Sequence, residues 1–238
     1  MLKTVFSVCL VLLMSLTACQ SQLPSPLQIQ AVEAMPPLAA EFETEVLETD
    51  THGDETTRVY RWRFVRHADR VETHNLSDDS GEVWRRLAGG DIAYQKVFHG
   101  QRQTIDYQPG DLKALAAVPD WRAVATLLSP AELDGLQADG EESALGRVAL
   151  RYRSGQGEIE ELLWLNREQL PALIRRQERG HLLVTRLAAL YPTGQAPWPE
   201  PRDEDYGHTD YADLGDKEGD PFVKSILPTL KGGHHHEH

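Results

Sequence analysis

Tyr60-Arg61-Trp62-Arg63-Phe64 alternates aromatic and arginine side chains. A period of two marks a strand with one buried and one solvated face. Tyr60, Trp62 and Phe64 then share one side of a sheet, and Arg61 and Arg63 share the other. The pattern returns at Arg147-Val148-Ala149-Leu150-Arg151-Tyr152-Arg153, with Val148, Leu150 and Tyr152 together. Around these two stretches the chain reads as hairpins. A strand near Leu47 precedes the first. Residues 71–76 follow a polar turn, 81–87 close at Ala88-Gly89-Gly90, and 91–98 and 101–107 flank His99-Gly100 as a hairpin turn. Beyond the second stretch, Ser154-Gly155-Gln156-Gly157 turns the chain into 159–165, followed by strands at 171–178 and 181–190.

Between the two groups of hairpins the pattern changes. Residues 111–118 and 120–128 read as helices, the second with Asp120 as N-cap. Ser129-Pro130-Ala131-Glu132 is a capping box with proline at the first helical position, opening a third short helix to about Leu136. Residues 139–143 read as a polar loop. The fold class expected is therefore mainly β with short helices, and the hairpins make the sheet antiparallel.

The ends differ from this core. Met1-Leu2-Lys3-Thr4 carries one positive charge, and an apolar run of 12 residues follows from Val5 to Leu16. That run is short of the roughly 20 residues a bilayer-spanning helix needs, but it suits a secretory signal. Leu16-Thr17-Ala18-Cys19 comes directly after it and resembles the lipobox of bacterial lipoproteins. The resemblance implies removal of residues 1–18 and acylation of Cys19. Gln20, where aspartate would retain such a protein in the inner membrane, implies delivery to the outer membrane. Residues 19–38 contain Pro24, Pro26, Pro36 and Pro37 and read as a tether.

Past Pro192 the composition shifts again. Residues 193–238 read as an acidic, histidine-containing tail, irregular except that Phe222-Val223 and Ile226-Leu227 have helical apolar spacing. Residues 39–192 are then the folded domain, and their local hairpins lead us to expect that they fold alone. The chain ends Gly232-Gly233-His234-His235-His236-Glu237-His238. Imidazoles suit Zn, Cu or Ni, so His234, His235, His236 and His238 are the candidate metal ligands. No metal or cofactor is required by anything else in the sequence.

Composition narrows the function. With 37 Asp+Glu against 24 Lys+Arg, the 238-residue chain has a formal charge of −13, the wrong sign for a nucleic-acid binder. Cys9 and Cys19 are the two cysteines, so the domain carries no internal disulfide. There is no G-x-S-x-G, H-E-x-x-H or P-loop, and His67, His74, His99 and His181 are scattered. We expect a non-enzymatic protein.

Hairpins, a helical insert, and further hairpins containing Leu162-Leu163-Trp164-Leu165-Asn166 and then Leu170-Pro171 resemble the lipoprotein-localisation family of LolA and LolB. The resemblance covers about Ala39 to Tyr191. It implies an antiparallel sheet curled into a half-barrel, short helices over its mouth and a concave face that takes acyl chains. The acidic tail has no counterpart in that pattern. The candidate lining of the concave face is Tyr60, Trp62, Phe64, Tyr94, Leu150, Tyr152 and Trp164. The alternative is that these residues are simply the core side of the sheet, and the two readings differ by cavity volume. Arg61, Arg63, Arg66, Arg85, Arg86, Arg147, Arg151 and Arg153 read as a solvated face paired with acids, with a headgroup-binding patch as the alternative. The function expected is a lipid-anchored, periplasm-facing outer-membrane protein that binds an apolar ligand or a lipoprotein acyl chain. The alternatives are a scaffold subunit that holds an envelope protein partner through the acidic tail, and metal binding by the terminal histidines.

Overall fold

The structure, a computed structural model, describes residues 27–49, 52, 54–199 and 205–232. Cys19 with its lipobox-like sequence, and the terminal histidines His234, His235, His236 and His238, lie outside the described residues. Strands β1 (Leu38–Thr49) and β2 (Glu55–Arg66) form a long hairpin. β3 (Arg70–Asn75), β4 (Ser80–Arg86), β5 (Ile92–Phe98) and β6 (Gln103–Tyr107) continue the meander to one side. Three short helices follow, α1 (Pro109–Ala114), α2 (Trp121–Thr126) and α3 (Pro130–Leu133). They lead to β7 (Gln137–Ala144), at the opposite edge. β8 (Arg147–Arg153), β9 (Ile159–Leu165), β10 (Leu170–Glu178) and β11 (His181–Pro192) then meander back, and β11 pairs with the open side of β1. Among the described residues this is one curved, open, mainly antiparallel sheet with short helices, as the alternation patterns predict.

The capping box at Ser129 is present: Ser129 N donates to Glu132 Oε2 at 2.7 Å, and Glu132 N donates to Ser129 Oγ at 3.3 Å. α1 begins and ends earlier than expected, and Ala116, at φ 51°, turns the backbone out of the helical region. Residues 139–143, expected as a loop, belong to β7. As an edge strand β7 buries little, so it shows no apolar alternation, and a bulge between Ala138 and Glu141 breaks its period.

Both flanking segments depart further from expectation. Residues 27–38 are packed rather than extended away as a tether. Val32, Met35 and Leu38 are buried, and Gln30 N donates to Gln169 Oε1 at 2.7 Å. Apolar residues set between the prolines give this segment a side that burial rewards.

The acidic tail is not irregular over residues 207–226. β12 (Gly207–Asp210) adds to β6 in parallel, and α4 (Pro221–Gly232) places Val223 and Ile226 in the main core at 0% and 4% exposure. Leu214 is buried with them, and Phe222 meets Phe98 edge to face at 5.3 Å. Asp220 starts the helix, its Oδ1 accepting from Phe222 N at 2.8 Å. The described part of the tail therefore completes the core that residues 39–192 were expected to complete alone.

Arg66 ends β2 and is 1% exposed. Its guanidinium donates to Ala125 O at 2.7 Å, Gln169 O at 2.8 Å, Pro36 O at 3.1 Å, and Glu168 O. One side chain thus ties the N-terminal segment, α2 and the β9–β10 turn together. Burial pushes its pKa down to about 10, which leaves it charged at neutral pH.

On the other face of the sheet, His74 and His99 lie with ring centroids 4.1 Å apart. Gly81 makes room for them, since a Cβ there would sit 2.7 Å from Thr73 O and 2.8 Å from His99 Nε2. Alanine normally improves a strand over glycine. Here Gly81→Ala is expected to cost about 1–3 kcal/mol through overpacking. Urea denaturation checks this, and a variant as stable as the parent contradicts it.

Candidate functional site

In an antiparallel pair, residues directly opposite one another project to the same face. The register therefore shows which side chains line the side of the sheet that the helices cover. One row runs Arg66, Val71, Trp84, Tyr94 and Tyr107 from β2 to β6. Another runs Tyr60, Thr44, Thr185, Ile174, Leu162 and Tyr152 from β2 across β1 to β8. Trp62 pairs with Phe42, and Leu150 with Trp164. All seven residues proposed from the sequence thus fall on one inner face.

They do not share one environment. Phe64, Tyr152 and Trp164 are 0%, 1% and 0% exposed and sit in packed clusters. Trp62 stacks on Phe42 at 4.5 Å, and its Nε1 donates to Thr44 Oγ1 at 3.0 Å. Tyr94 stacks on Trp84 at 4.2 Å, lies 5.1 Å from Tyr107, and donates its hydroxyl to Glu82 Oε1 at 3.2 Å. Burial, with Glu82 beside it, holds the Tyr94 pKa well above the usual phenol range, and burial lifts Tyr107 to about 12. These phenols stay neutral and act as apolar surface with one donor each. Tyr60 borders an open groove of about 380 Å³, and Leu150 borders another of about 840 Å³ near Pro36, Val148 and Tyr191.

The helices complete the covering. Trp121 and Ala125 of α2 join the cluster of Phe42 and Phe64, while Leu128, Leu133 and Leu136 meet Tyr152, Leu162 and Trp164. Two buried indole nitrogens, Trp121 Nε1 and Trp164 Nε1, have no hydrogen-bond partner among the described residues. An unmet buried donor costs about 1–3 kcal/mol.

The sequence reading missed Trp84, Tyr107 and Tyr211, which extend the aromatic row; Tyr107 stacks on Tyr211 at 4.5 Å. Trp84 and Tyr107 were legible in principle, because each sits on a strand whose alternation places it. Tyr211 was not, because it reaches the row through the tail. The arginines divide as well. Arg61, Arg63, Arg86, Arg147 and Arg153 pair with Glu43, Glu41, Glu33, Glu168 and Asp139, and Arg151 pairs with Glu142 and Glu161. Arg66 does not belong with them, since it lies inside. Among the described residues, no group of three or more His, Cys, Asp or Glu could hold a metal ion, and no helix is long and apolar enough to cross a membrane.

No family model matches the sequence, and no curated protein matches it. Solved structures similar in fold include an uncharacterised conserved protein from Thermus thermophilus at 12% identity and TM-score 0.40, over 74% of this chain and 90% of that one. They also include a domain described as outer membrane lipoprotein-sorting from Vibrio parahaemolyticus at 9% and 0.31, over 68% and 88%. A LolA superfamily protein from Nitrosomonas europaea stands at 9% and 0.34, over 74% and 93%.

Proposed function

We propose that this chain is a lipid-anchored outer-membrane protein facing the periplasm, and that it binds an acyl chain of a lipid or lipoprotein without catalysis. The observation that carries the reading is the inner face itself. An aromatic and aliphatic surface runs from β6 to β8, and the helices laid over it between the two meanders are only 4 to 6 residues long. Helices that short draw their stability from the contacts they make with this face, so a chain offering the same contacts competes with them for it. Of the three, α2 is held most firmly, through Arg66 and Ala125 O. The unpartnered indoles of Trp121 and Trp164 give an ester or carboxylate oxygen a donor on the same face. The sequence up to Cys19 supports the anchor.

Two measurements test this. The full chain carrying Cys19→Ala should leave the membrane fraction after signal cleavage, and continued membrane association contradicts the anchor. Organic extraction of that purified variant, followed by mass spectrometry, should release lipid in near-stoichiometric amount. A protein that is empty on isolation and does not bind a fluorescent fatty acid saturably rejects the acyl-chain reading.

A further inference from the structure

The short helices between the meanders leave part of the inner face open, while α4 covers Phe98 at the β5 end. Beyond the Arg66–Tyr107 row the face continues into the open groove of about 380 Å³, and the chemistry changes there. Tyr60 and Trp62 supply two aromatic surfaces. Phe42 covers one side of the Trp62 ring from β1, while Asn75 and Thr73 of β3 lie to the other side of β2. Apart from Gly81, the rest of the lining is polar: Thr73, Asn75, Ser80, Glu82 and Lys96, with Asp78 from the β3–β4 turn. Register places Glu82 between Thr73 and Lys96 on one row, and Asn75 beside Ser80 on the next.

From this juxtaposition we propose that the groove is a saccharide site, taking a pyranose ring on Tyr60 and Trp62. Aromatic faces carry negative potential and attract the polarised C–H side of a sugar ring, while an apolar chain would leave the polar wall desolvated. Sugar hydroxyls are both donors and acceptors. The wall offers both kinds in one place: an amide, two hydroxyl side chains, two carboxylates and an ammonium. The charges argue against a phosphate ligand. Asp78 and Glu82 outnumber Lys96, and Lys96 is already 3.4 Å from Glu82 Oε1. Asp78 Oδ1 accepts from Ser80 N and Ser80 Oγ at 3.0 and 2.7 Å, so its position is held before any ligand arrives. The same ring could come as a free oligosaccharide or as the head of a glycolipid whose chains follow the inner face. Only the glycolipid case rests on the acyl-chain reading above.

The test uses the full chain carrying Cys19→Ala. Calorimetric titration with chitotriose and maltotriose examines free sugar. Co-sedimentation with phosphatidylcholine vesicles, with and without monoglucosyl diacylglycerol, examines the lipid-borne sugar. Binding in either arm is expected, and it should weaken about tenfold in Tyr60→Ala and in Asn75→Asp, with melting temperatures unchanged. Aspartate removes the amide donors but keeps the Oδ1 that accepts from Ser77 N at 2.9 Å. Tyr60 lies outside the buried clusters, so its loss leaves the fold intact. Binding to sugar-bearing vesicles alone assigns the site to a glycolipid. Failure to bind any of these sugars overturns the proposal, as does binding that both variants retain in full. A protein that takes a fatty acid but none of the sugars loses this site and keeps the acyl-chain reading.

Discussion

Replacing Arg66 with methionine is expected to destabilise the protein by about 3–5 kcal/mol, at about 1 kcal/mol for each buried carbonyl left without its donor. The volume is nearly kept, so the loss comes from hydrogen bonding rather than from a cavity. Carbonyls of Pro36, Ala125, Glu168 and Gln169 converge on one guanidinium, and among the described residues no carboxylate shares it. Without it, four acceptors from three chain segments are left in a site that is 1% exposed. For a chain of this length the change corresponds to a drop of roughly 10 °C in Tm. Arg66→Lys should recover only part of the loss, because an ammonium cannot span the same acceptors as a planar fork. Equilibrium denaturation of the three proteins measures it. A methionine variant within 1 kcal/mol of the parent would show that water replaces the guanidinium at no net cost, which the burial of Arg66 argues against.

A chain ending at Pro192 should fail to give a cooperative melt. Among the described residues beyond that point, four large apolar side chains are buried: Trp198, Leu214, Val223 and Ile226. Burying a side chain of this kind contributes about 1.5–3 kcal/mol, so together they contribute about 6–12 kcal/mol before the cost of ordering the segment. The whole stability of a domain is about 5–15 kcal/mol. Truncation would also uncover Phe98 and the edge of β6, inviting aggregation through an unpaired strand. Val223→Asp separates the effects by keeping the chain length. Placing a charge at a position 0% exposed in α4 should cost at least about 3 kcal/mol. If truncated and full-length proteins melted at the same temperature, the tail would be docked without contributing stability.

Much of the sheet is written locally. Alternation at Tyr60–Phe64 and at Val148–Tyr152 gives strand, face and neighbours, because a period of two leaves one assignment per residue. The same parity carries on to Arg66, which shares the side of Trp62 and Phe64. Grouping it with Arg61 and Arg63 followed its charge and neglected its position. β9 hides its alternation because Leu162 to Leu165 are buried throughout. Other features depend on distant register and have no local signal. His74 and His99 meet because Gly81 lies opposite His74 on one side and Val97 on the other. Val223 is buried because α4 packs back onto the core cluster that holds Phe98 and Ile105. The two grooves are spaces between elements, and no residue pattern reports a volume.

The docking of residues 27–38 shortens the leash on which the proposed anchor would hold the domain. Were everything from Gln20 to Leu38 free, 19 residues could stretch about 63–68 Å from the acylated cysteine. With Leu27 already against the core, only eight steps separate it from Cys19, a reach of about 26–29 Å. The volume swept by a tethered body scales as the cube of its leash, so the effective concentration of the domain near the bilayer rises roughly tenfold. A protein held that closely meets ligands that are themselves in or beside the membrane. It is poorly placed to ferry anything across the width of the periplasm.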